Sequence, residues 1–307
     1  MIFFQKLKAF FNIGRQLQYY NNKLLSDLAY QIRSDNMKEK TLSCKKMGVC
    51  TLQMCDKEVI VSLTSYGNRI YDVYLSIESI MQGTVKPNRI ILWLSDKLKN
   101  EDLPKTLQMQ IARGLEVEYC KDIRSYTKLI PALRKYPDSI IITIDDDVIY
   151  ELDIVEKLVK AYQKNPHYIH ANRIHRITLD CKGEINSYNN WKWCYNGYDM
   201  SSLNFLTGVG GVLYPPKSLD DAVFDEDVFL DICKTADDVW FYLMALKKGT
   251  HVKKVYTHSP KGEDYILNNS PSEMGLLVKN TDSVFCQNDV QFKAVMQHYR
   301  LSIKETE

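Results

Sequence analysis

After an N-terminal helical stretch, short apolar runs alternate with segments whose apolar residues recur at helical spacing. The runs are rich in β-branched residues, which is typical of buried strands, and the segments between them fit amphipathic helices. Strands are predicted over 59–64, 89–94, 115–119, 139–144 and 168–171. Helices are predicted over 70–81, 103–113, 127–135 and 154–163. This order predicts an α/β fold with a doubly wound, mostly parallel sheet and helices on both faces.

The alternation stops after Asn172. The stretch up to Tyr214 is rich in Gly, Asn, Tyr and Trp, which predicts hairpins and loops. Further elements are predicted as a helix over 237–248 that Gly249 ends, a strand over 252–257 and a last helix over 288–303. We therefore divide the chain into segments 1–56, 57–172, 173–260 and 261–307.

The first segment, 1–56, is predicted to be a basic amphipathic helix followed by a linker. Its apolar residues fall near helical spacing beside several cations: Ile2, Phe3, Leu7, Phe10, Phe11 and Ile13, with Lys6, Lys8 and Arg15. Helices of this kind lie on anionic membrane surfaces, and packing on the protein's own body is the alternative. No apolar run reaches the length of a membrane span, and the interrupting lysines argue against a signal peptide.

Composition narrows the classes of function. The chain has 307 residues, of which 45% are apolar and 25% charged, as in ordinary globular proteins. Its net charge of +2 argues against a strongly basic nucleic-acid binder, so no nucleic-acid partner is expected. Eight cysteines are scattered without a CxxC pair, and we expect them to be reduced thiols of a cytoplasmic protein.

Three consecutive aspartates, Asp145, Asp146 and Asp147, directly follow the predicted strand 139–144. Ligands of open α/β sheets bind beyond the carboxyl ends of the strands. Side chains alternate along an extended chain, so Asp145 and Asp147 are expected to point one way and Asp146 the other. Two such carboxylates can hold Mn²⁺ or Mg²⁺ together with diphosphate oxygens. The alternative is a solvated acidic turn that caps the next helix.

This triplet, with the flanking text 126–133, 136–137 and 141–144, resembles the DxD region of GT-A fold glycosyltransferases. It looks most like the family-2-like bacterial enzymes that build capsule and lipopolysaccharide glycans, and the resemblance covers roughly 58–258. It implies a metal-dependent transfer from a nucleotide-sugar donor, with a UDP-sugar as the first expectation, to a glycan or lipid-linked glycan acceptor. The expected location is the cytoplasm or the inner face of the plasma membrane.

The resemblance gives the segments roles. Segment 57–172 would be the nucleotide-sugar-binding half and segment 173–260 the acceptor-binding and catalytic half. At the end of the first strand and before the helix leading to the triplet, it assigns donor contacts to Thr64, Ser65, Arg69 and Lys128, and also to Asp145 and Asp146. A helix N-cap and solvated surface charges are the alternatives for these residues outside the triplet.

A second acidic pair, Asp237 and Asp238, begins the helix predicted over 237–248. It looks like the acidic doublet of inverting GT-A enzymes, whose second acid is the general base, here Asp238. The doublet is Asp-Asp rather than the commoner Glu-Asp, which keeps Asp237 open as the base. The alternative is that both acids only complement the positive end of the helix.

Further candidates lie in the second half. Gly210 and Gly211 lie in the glycine-rich stretch 207–216, where a substrate can approach the backbone closely. The resemblance places such a segment beside the donor sugar and the acceptor, and a tight hairpin is the alternative. Trp191 and Trp193 have faces that can stack on sugar rings, although core and membrane-facing positions are equally open. By the resemblance, His258 is the candidate third metal ligand, and a structural histidine is the alternative.

Two other classes of function remain open. A sugar-phosphate nucleotidyltransferase also needs an α/β sheet and metal-binding acids, but its first loop usually carries several glycines and basic residues. The stretch 64–68 is a poor version of such a loop. A non-catalytic glycan-binding protein on the same fold predicts no turnover and gives no reason for two acidic sites.

Overall fold

The computed structural model describes residues 2–52, 54–267, 280–281 and 286–303, with side chains from residue 14 onward. Its strands are β1 (Val59–Thr64), β2 (Arg89–Ser95), β3 (Leu115–Cys120), β4 (Ile140–Thr143), β5 (Val148–Tyr150), β6 (Ile169–Ala171), β7 (Ile174–Arg176), β8 (Asn204–Leu206), β9 (Val212–Tyr214), β10 (Val252–Lys254) and β11 (Tyr265–Leu267). Its α-helices are α1 (Ile2–Ser43), α2 (Val73–Met81), α3 (Lys105–Ile111), α4 (Ile130–Lys135), α5 (Ile154–Lys164), α6 (Glu226–Ile232), α7 (Asp237–Lys248) and α8 (Gln287–His298).

A seven-stranded sheet in the order β10-β6-β9-β4-β1-β2-β3 forms the centre of the molecule. Strands β3, β2, β1 and β4 are parallel neighbours, and β6 is parallel to β10. Strand β9 lies antiparallel between β4 and β6. The α/β class and the mostly parallel sheet are therefore confirmed. Strands of both 57–172 and 173–260 belong to this one sheet.

The sheet has an apolar layer on each face because alternate residues of its strands point to opposite sides. Along β1, Ile60 joins the cluster that contains Trp240 of α7, whereas Val61 and Leu63 join the one that contains Ile77 of α2. All five side chains are fully or almost fully buried. Helices on both faces, as predicted, follow from this arrangement.

The structure adds elements that the hydrophobic pattern did not indicate. Strand β5 begins directly after the three aspartates and pairs antiparallel with β11. Strands β7 and β8 form a second small antiparallel pair within the stretch predicted as hairpins and loops. Each of these strands has three residues, too few to show a periodicity. The predicted last helix is shorter and is α8, and the remainder of 261–307 lies partly outside the described residues.

The N-terminal segment is one long helix, α1, followed by an irregular linker up to β1. Among the described side chains of α1, the buried ones are Met37 and Thr41, in its C-terminal part. The Thr41 hydroxyl donates to Glu78 of α2, which forms a buried ion pair with Arg113 at 2.8 Å. No described helix has the length and hydropathy that crossing a membrane requires.

Candidate functional site

The aspartate triplet lies just beyond the carboxyl end of strand β4 in the central sheet. Strand β4 ends at Thr143, and Asp146 and Asp147 form a turn before β5. The alternation expected of an extended chain therefore does not determine the directions of these side chains. Asp145 faces Lys128, whereas Asp146 and Asp147 both contact Arg69.

Asp146 is the buried member of the triplet, with an exposed fraction of 8%. It accepts a hydrogen bond from the Ser65 hydroxyl at 2.6 Å and one from Arg69 at 3.0 Å. Burial raises the pKa of Asp146, while these two donors act to lower it. Ser65 directly follows β1, and Arg69 lies in the 3₁₀ helix Gly67–Tyr71 that comes next, so both hold the triplet from the end of the neighbouring strand.

Asp147 is more accessible than Asp146, and the negative charges of its two neighbours act on its carboxylate. Its side chain is 36% exposed, and one oxygen lies 3.1 Å from the Arg69 guanidinium. Burial and the charges of Asp145 and Asp146 raise the pKa of Asp147 to about 6, although Arg69 lowers it. For Arg69, burial would lower the pKa, but Asp146 and Asp147 outweigh burial and raise it.

Lys128 joins the two acidic sites that the sequence shows far apart. Its ammonium nitrogen lies 2.9 Å from Asp145 Oδ1 and 2.9 Å from Asp237 Oδ2. The contact with Asp145 is a hydrogen bond, whereas the one with Asp237 lacks hydrogen-bond geometry and is coulombic. Burial would lower the pKa of Lys128, but Asp145, Asp237 and Asp238 together hold it well above its usual value. The side chain is therefore a buried cation among three carboxylates.

Neighbouring strands fix the backbone of Lys128. The Ser62 hydroxyl of β1 donates to the Lys128 carbonyl at 2.6 Å, and the Trp93 indole of β2 donates to Ser62 at 2.9 Å. Lys128 ends a short 3₁₀ helix that begins at Arg124. In that helix the buried Tyr126 donates to the carbonyl of Cys233. Tyr126 thereby ties the lysine to the loop that precedes Asp237.

The second acidic pair begins α7, as predicted, and its two members differ in accessibility. Asp237 is buried, whereas Asp238 is partly exposed. Asp238 Oδ1 accepts a hydrogen bond from the Gly208 amide at 3.0 Å. Burial, followed by the charge of Asp237, raises the pKa of Asp238 to about 7, while Lys128 acts to lower it.

Lys128, Asp145, Asp237 and Asp238 together form a junction between the two acidic sites. Gly208 packs closely against this junction. A Cβ atom at this position would lie 2.9 Å from Asp238 Oδ1, 2.9 Å from Lys128 Nζ and 3.8 Å from Asp145 Oδ1. The glycine therefore allows the backbone to approach three charged groups at once. Gly208 lies in the glycine-rich stretch 207–216, and its role is visible only from these tertiary contacts.

Tyr150 connects the triplet to the glycine-rich turn. It is not among the candidates predicted from the sequence. Its hydroxyl accepts a hydrogen bond from the Asp145 amide at 2.9 Å and donates to the Val209 carbonyl at 3.1 Å. The side chain is fully buried. A tyrosine within an ordinary apolar strand gives no sequence signal for this role.

Gly210 and Gly211 pack against protein atoms. A Cβ at Gly210 would lie 2.9 Å from Arg173 Cβ, and Gly211 has φ of +85°. The Asn172 amide group donates to the Gly210 carbonyl at 2.9 Å. Both glycines thus shape the turn that carries Gly208. This turn is not a hairpin, since β8 before it pairs with β7 and β9 after it pairs with β4 and β6. Their expected contact with acceptor stays a prediction.

The two tryptophans occupy different environments. Trp191 is 5% exposed, and its indole packs edge-on against Phe205 and Phe292. Its ring is therefore covered on the core side, in agreement with the core alternative. Trp193 is 37% exposed and stacks on His175 at 4.9 Å between ring centroids. Of the two, only Trp193 presents substantial ring surface to solvent.

The described hydrogen bonds of His258 and Thr64 are made to residues outside the junction. His258 Nε2 lies 2.9 Å from Asp153 Oδ2, and its amide donates to Asp264. No described contact joins this histidine to the triplet. The Thr64 hydroxyl donates to the Trp93 carbonyl at 2.9 Å, a bond between adjacent strands.

The triplet can hold a divalent cation if a bound phosphate supplies the remaining ligands. Asp145 and Asp147 offer hard carboxylate oxygens, and their side chains are 27% and 36% exposed. Burial, followed by the negative charges of Asp145 and Asp146, raises the pKa of Asp147, and a bound cation would act to lower it. Within the described part of the chain, no three His, Cys, Asp or Glu side chains form a metal-binding group. Such a site needs oxygens of a bound phosphate to complete it, as is usual for Mg²⁺.

No family model matches the chain, and no curated protein matches it. Among solved structures, it is similar to a CMP-2-keto-3-deoxy-manno-octonic acid synthetase in complex with CTP. That alignment has a TM-score of 0.39 and 11% identity, and covers 64% of this chain and 88% of the synthetase.

The chain is also similar to a mannosyltransferase from Pyrobaculum calidifontis in complex with GDP-mannose and Mn²⁺. That alignment has a TM-score of 0.31 and 14% identity, and covers 48% of this chain and 43% of the mannosyltransferase. Both TM-scores are below 0.5, too low to establish a shared fold. The function of this chain is therefore inferred from the side chains of the site.

Proposed function

We propose that this chain is a metal-dependent glycosyltransferase that moves a sugar from a nucleotide-sugar donor to an acceptor hydroxyl. The observation that supports this most strongly is the junction at Lys128, which places Asp145 and the pair Asp237–Asp238 around one buried cation. A transferase of this kind needs two acidic functions side by side, one for the donor diphosphate and its cation, the other for the acceptor.

The donor side of the proposal uses the triplet and the residues that hold it. Asp145 and Asp147 would hold Mn²⁺ or Mg²⁺, which when bound neutralises negative charge on the departing diphosphate. Ser65 and Arg69 keep Asp146 in place, so the turn presents its neighbours in a fixed arrangement. Lys128 supplies a second positive charge on the same side, where it can attract the diphosphate.

The acceptor side uses Asp238 as general base. A base must reach the hydroxyl it deprotonates, and Asp238 is partly exposed whereas Asp237 is buried against Lys128. In the reaction, the acceptor oxygen forms a bond to the anomeric carbon while its proton passes to Asp238. The bond from that carbon to the diphosphate oxygen breaks, and the nucleotide leaves with the electron pair. Attack opposite the leaving group inverts the configuration.

The finer identity of the substrates rests on the resemblance of 58–258 to family-2-like bacterial enzymes. It favours a UDP-sugar as donor and a glycan or lipid-linked glycan of a surface polysaccharide as acceptor. It also favours a cytoplasmic location at the inner face of the plasma membrane. Asp238 and Trp193 are the accessible side chains that we assign to the acceptor side.

The reaction class is tested by the products. Purified protein is incubated with UDP-, GDP-, dTDP- and CMP-sugars, with Mn²⁺ or with EDTA, and nucleotide release is measured. In parallel, each nucleoside triphosphate is supplied with sugar phosphates and pyrophosphate release is measured. Mn²⁺-dependent nucleotide release from one sugar donor supports the proposal. Pyrophosphate release would identify a nucleotidyltransferase, and no turnover in either assay would favour a glycan-binding protein.

A further inference from the structure

The N-terminal helix α1 presents a row of apolar side chains that nothing in the described structure covers. The row is spaced by three or four residues, so its members lie on one side of the helix. They are 53–66% exposed: Leu17, Tyr20, Leu24, Leu28 and, beside them, Leu25 and Ile32. Large apolar side chains at this exposure are ordinary when isolated, but a contiguous row along a helix marks an interaction surface.

The row lies on a helix that is fixed to the body at its other end. Arg33 donates to the Tyr150 carbonyl of β5 at 3.0 Å and lies 3.6 Å from Glu151. Four residues further on, Met37 is buried against the core. Tyr30 lines a narrow cleft together with Asp146 and Asp147. The exposed row therefore precedes this anchor along α1, and its members nearest the body, Leu28 and Ile32, lie on the side of the helix opposite Tyr30.

Charge distinguishes between the occupants that such a row could have. Over residues 2–32, the cations are Lys6, Lys8, Arg15 and Lys23, and the only acid is Asp27. Pairing with a second copy would place these cations near an equally positive helix, which costs free energy. An anionic lipid surface attracts each cation and accepts the apolar row at the same time.

We propose that α1 docks on an anionic lipid bilayer, with the row Leu17–Ile32 inserted at the boundary of headgroups and acyl chains. Lys23 would lie near the headgroups, since lysine keeps its charge in water while its aliphatic part covers apolar surface. Because Arg33 and Met37 fix the end of the helix to the body, docking would hold the body of the protein beside the lipid surface. This inference does not depend on the reaction proposed above.

The test is co-sedimentation of the full chain with vesicles of phosphatidylcholine mixed with phosphatidylglycerol, compared with phosphatidylcholine alone. The variant Leu24→Glu introduces a charge into the row. Tyr19→Glu introduces the same charge, at a residue of nearly equal exposure (65% against 66%), on a side of the helix away from the row. Circular dichroism checks that both variants keep their folded structure.

We expect wild type to bind the mixed vesicles and not the neutral ones, less strongly as salt is raised. Leu24→Glu should reduce binding by about tenfold or more, since burying a leucine is worth about 1.5–3 kcal/mol. Tyr19→Glu should change it by less than about threefold. Equal loss in both variants, or no binding to the mixed vesicles, would overturn the proposal. So would a dimer in sedimentation velocity that Leu24→Glu dissociates, because the row would then be a contact between copies.

Discussion

The ammonium nitrogen of Lys128 lies 2.9 Å from an oxygen of Asp145, although the two residues stand on either side of a helix and a strand. The same nitrogen lies 2.9 Å from Asp237, more than a hundred positions further along the chain. One buried cation therefore sets the distance between the acidic turn after β4 and the acidic start of α7. The functional proposal depends on this relationship.

Replacement of Lys128 by methionine tests this dependence. Lys128→Met leaves Asp145, Asp237 and Asp238 without their shared cation, and removing one partner of a buried pair costs about 3 kcal/mol or more. Lys128 lowers the pKa of Asp238, so its loss should raise that pKa further. Protonation then relieves the repulsion, and the loss of thermal stability should be smaller near pH 5 than near pH 8.

Lys135→Met is the matched control, because Lys135 pairs with Glu118 at the surface and is 46% exposed. We expect it to change the unfolding free energy by less than about 0.5 kcal/mol at either pH. Thermal melts of both variants across this range are the measurement. A Lys128→Met variant as stable as wild type at pH 8 would show that the junction is not held by the lysine.

Asp147→Asn should separate stability from metal binding. The pKa of Asp147 is about 6 in the folded protein against its ordinary 3.8, so its ionised form costs stability above pH 6. This cost fades as the pH falls towards 4. Without a divalent cation at about pH 8, the variant should be more stable than wild type, by at most about 1 kcal/mol because the carboxylate is partly screened by solvent.

Mn²⁺ together with the donor nucleotide should raise the melting temperature of wild type and have little effect on Asp147→Asn. Asp138→Asn is the control, since Asp138 is 75% exposed in a surface pair with Lys217. It should respond to Mn²⁺ as wild type does. An Asp147→Asn variant that retains the full Mn²⁺ effect would exclude Asp147 as a metal ligand.

The pH dependence of turnover reports on Asp238. A general base acts in its ionised form, and the pKa of Asp238 is about 7. We therefore expect kcat/KM to be constant above pH 7 and to fall about tenfold for each pH unit below it. Asp238→Asn should lower kcat by about 10²–10⁴ with donor KM little changed. If Asp237→Asn gives the larger loss in kcat, the base has been assigned to the wrong member of the pair.

Gly208→Ala tests the close approach of the backbone to the junction. The new Cβ would lie 2.9 Å from both Asp238 Oδ1 and Lys128 Nζ, so one of these charged groups must move. We expect kcat to fall about 10²-fold, because small displacements of reacting groups are costly. Gly14→Ala should leave kcat unchanged, because no described atom outside the backbone of its own helix lies within 4 Å of the new Cβ. Steady-state kinetics at saturating donor distinguish the two outcomes.

Much of the fold could be predicted from the sequence. Strands such as β1 and β4 are buried on both faces, so nearly every residue is apolar and the signal is strong. The C-terminal stop of α7 was also correct, since Gly249 adopts φ of +81°. Strands β5 and β11 could not be predicted, because three-residue strands are defined by their partners rather than by a pattern of their own.

The site was predictable only in part. The aspartate triplet and the Asp237–Asp238 doublet stood out as clusters of like charge. Such clusters cost stability through repulsion unless they bind a cation or serve a function. Lys128 was noticed, but the contact that gives it two acidic partners depends on how β1 and α7 pack together. Gly208 and Tyr150 act through tertiary contacts, with Asp238 in one case and Val209 in the other. Nothing in their local sequence distinguishes them from ordinary turn and strand residues.

The most direct test of the central claim is calorimetric titration of wild type, Asp147→Asn and Asp238→Asn with the donor nucleotide-sugar identified by turnover. Each titration is done with Mn²⁺ and with EDTA. If Asp147 holds the metal and Asp238 acts as the base, donor binding should depend on Mn²⁺. Asp147→Asn should abolish this binding and Asp238→Asn should retain it. Binding that is indifferent to EDTA and to Asp147→Asn would contradict a metal-dependent donor site at the triplet.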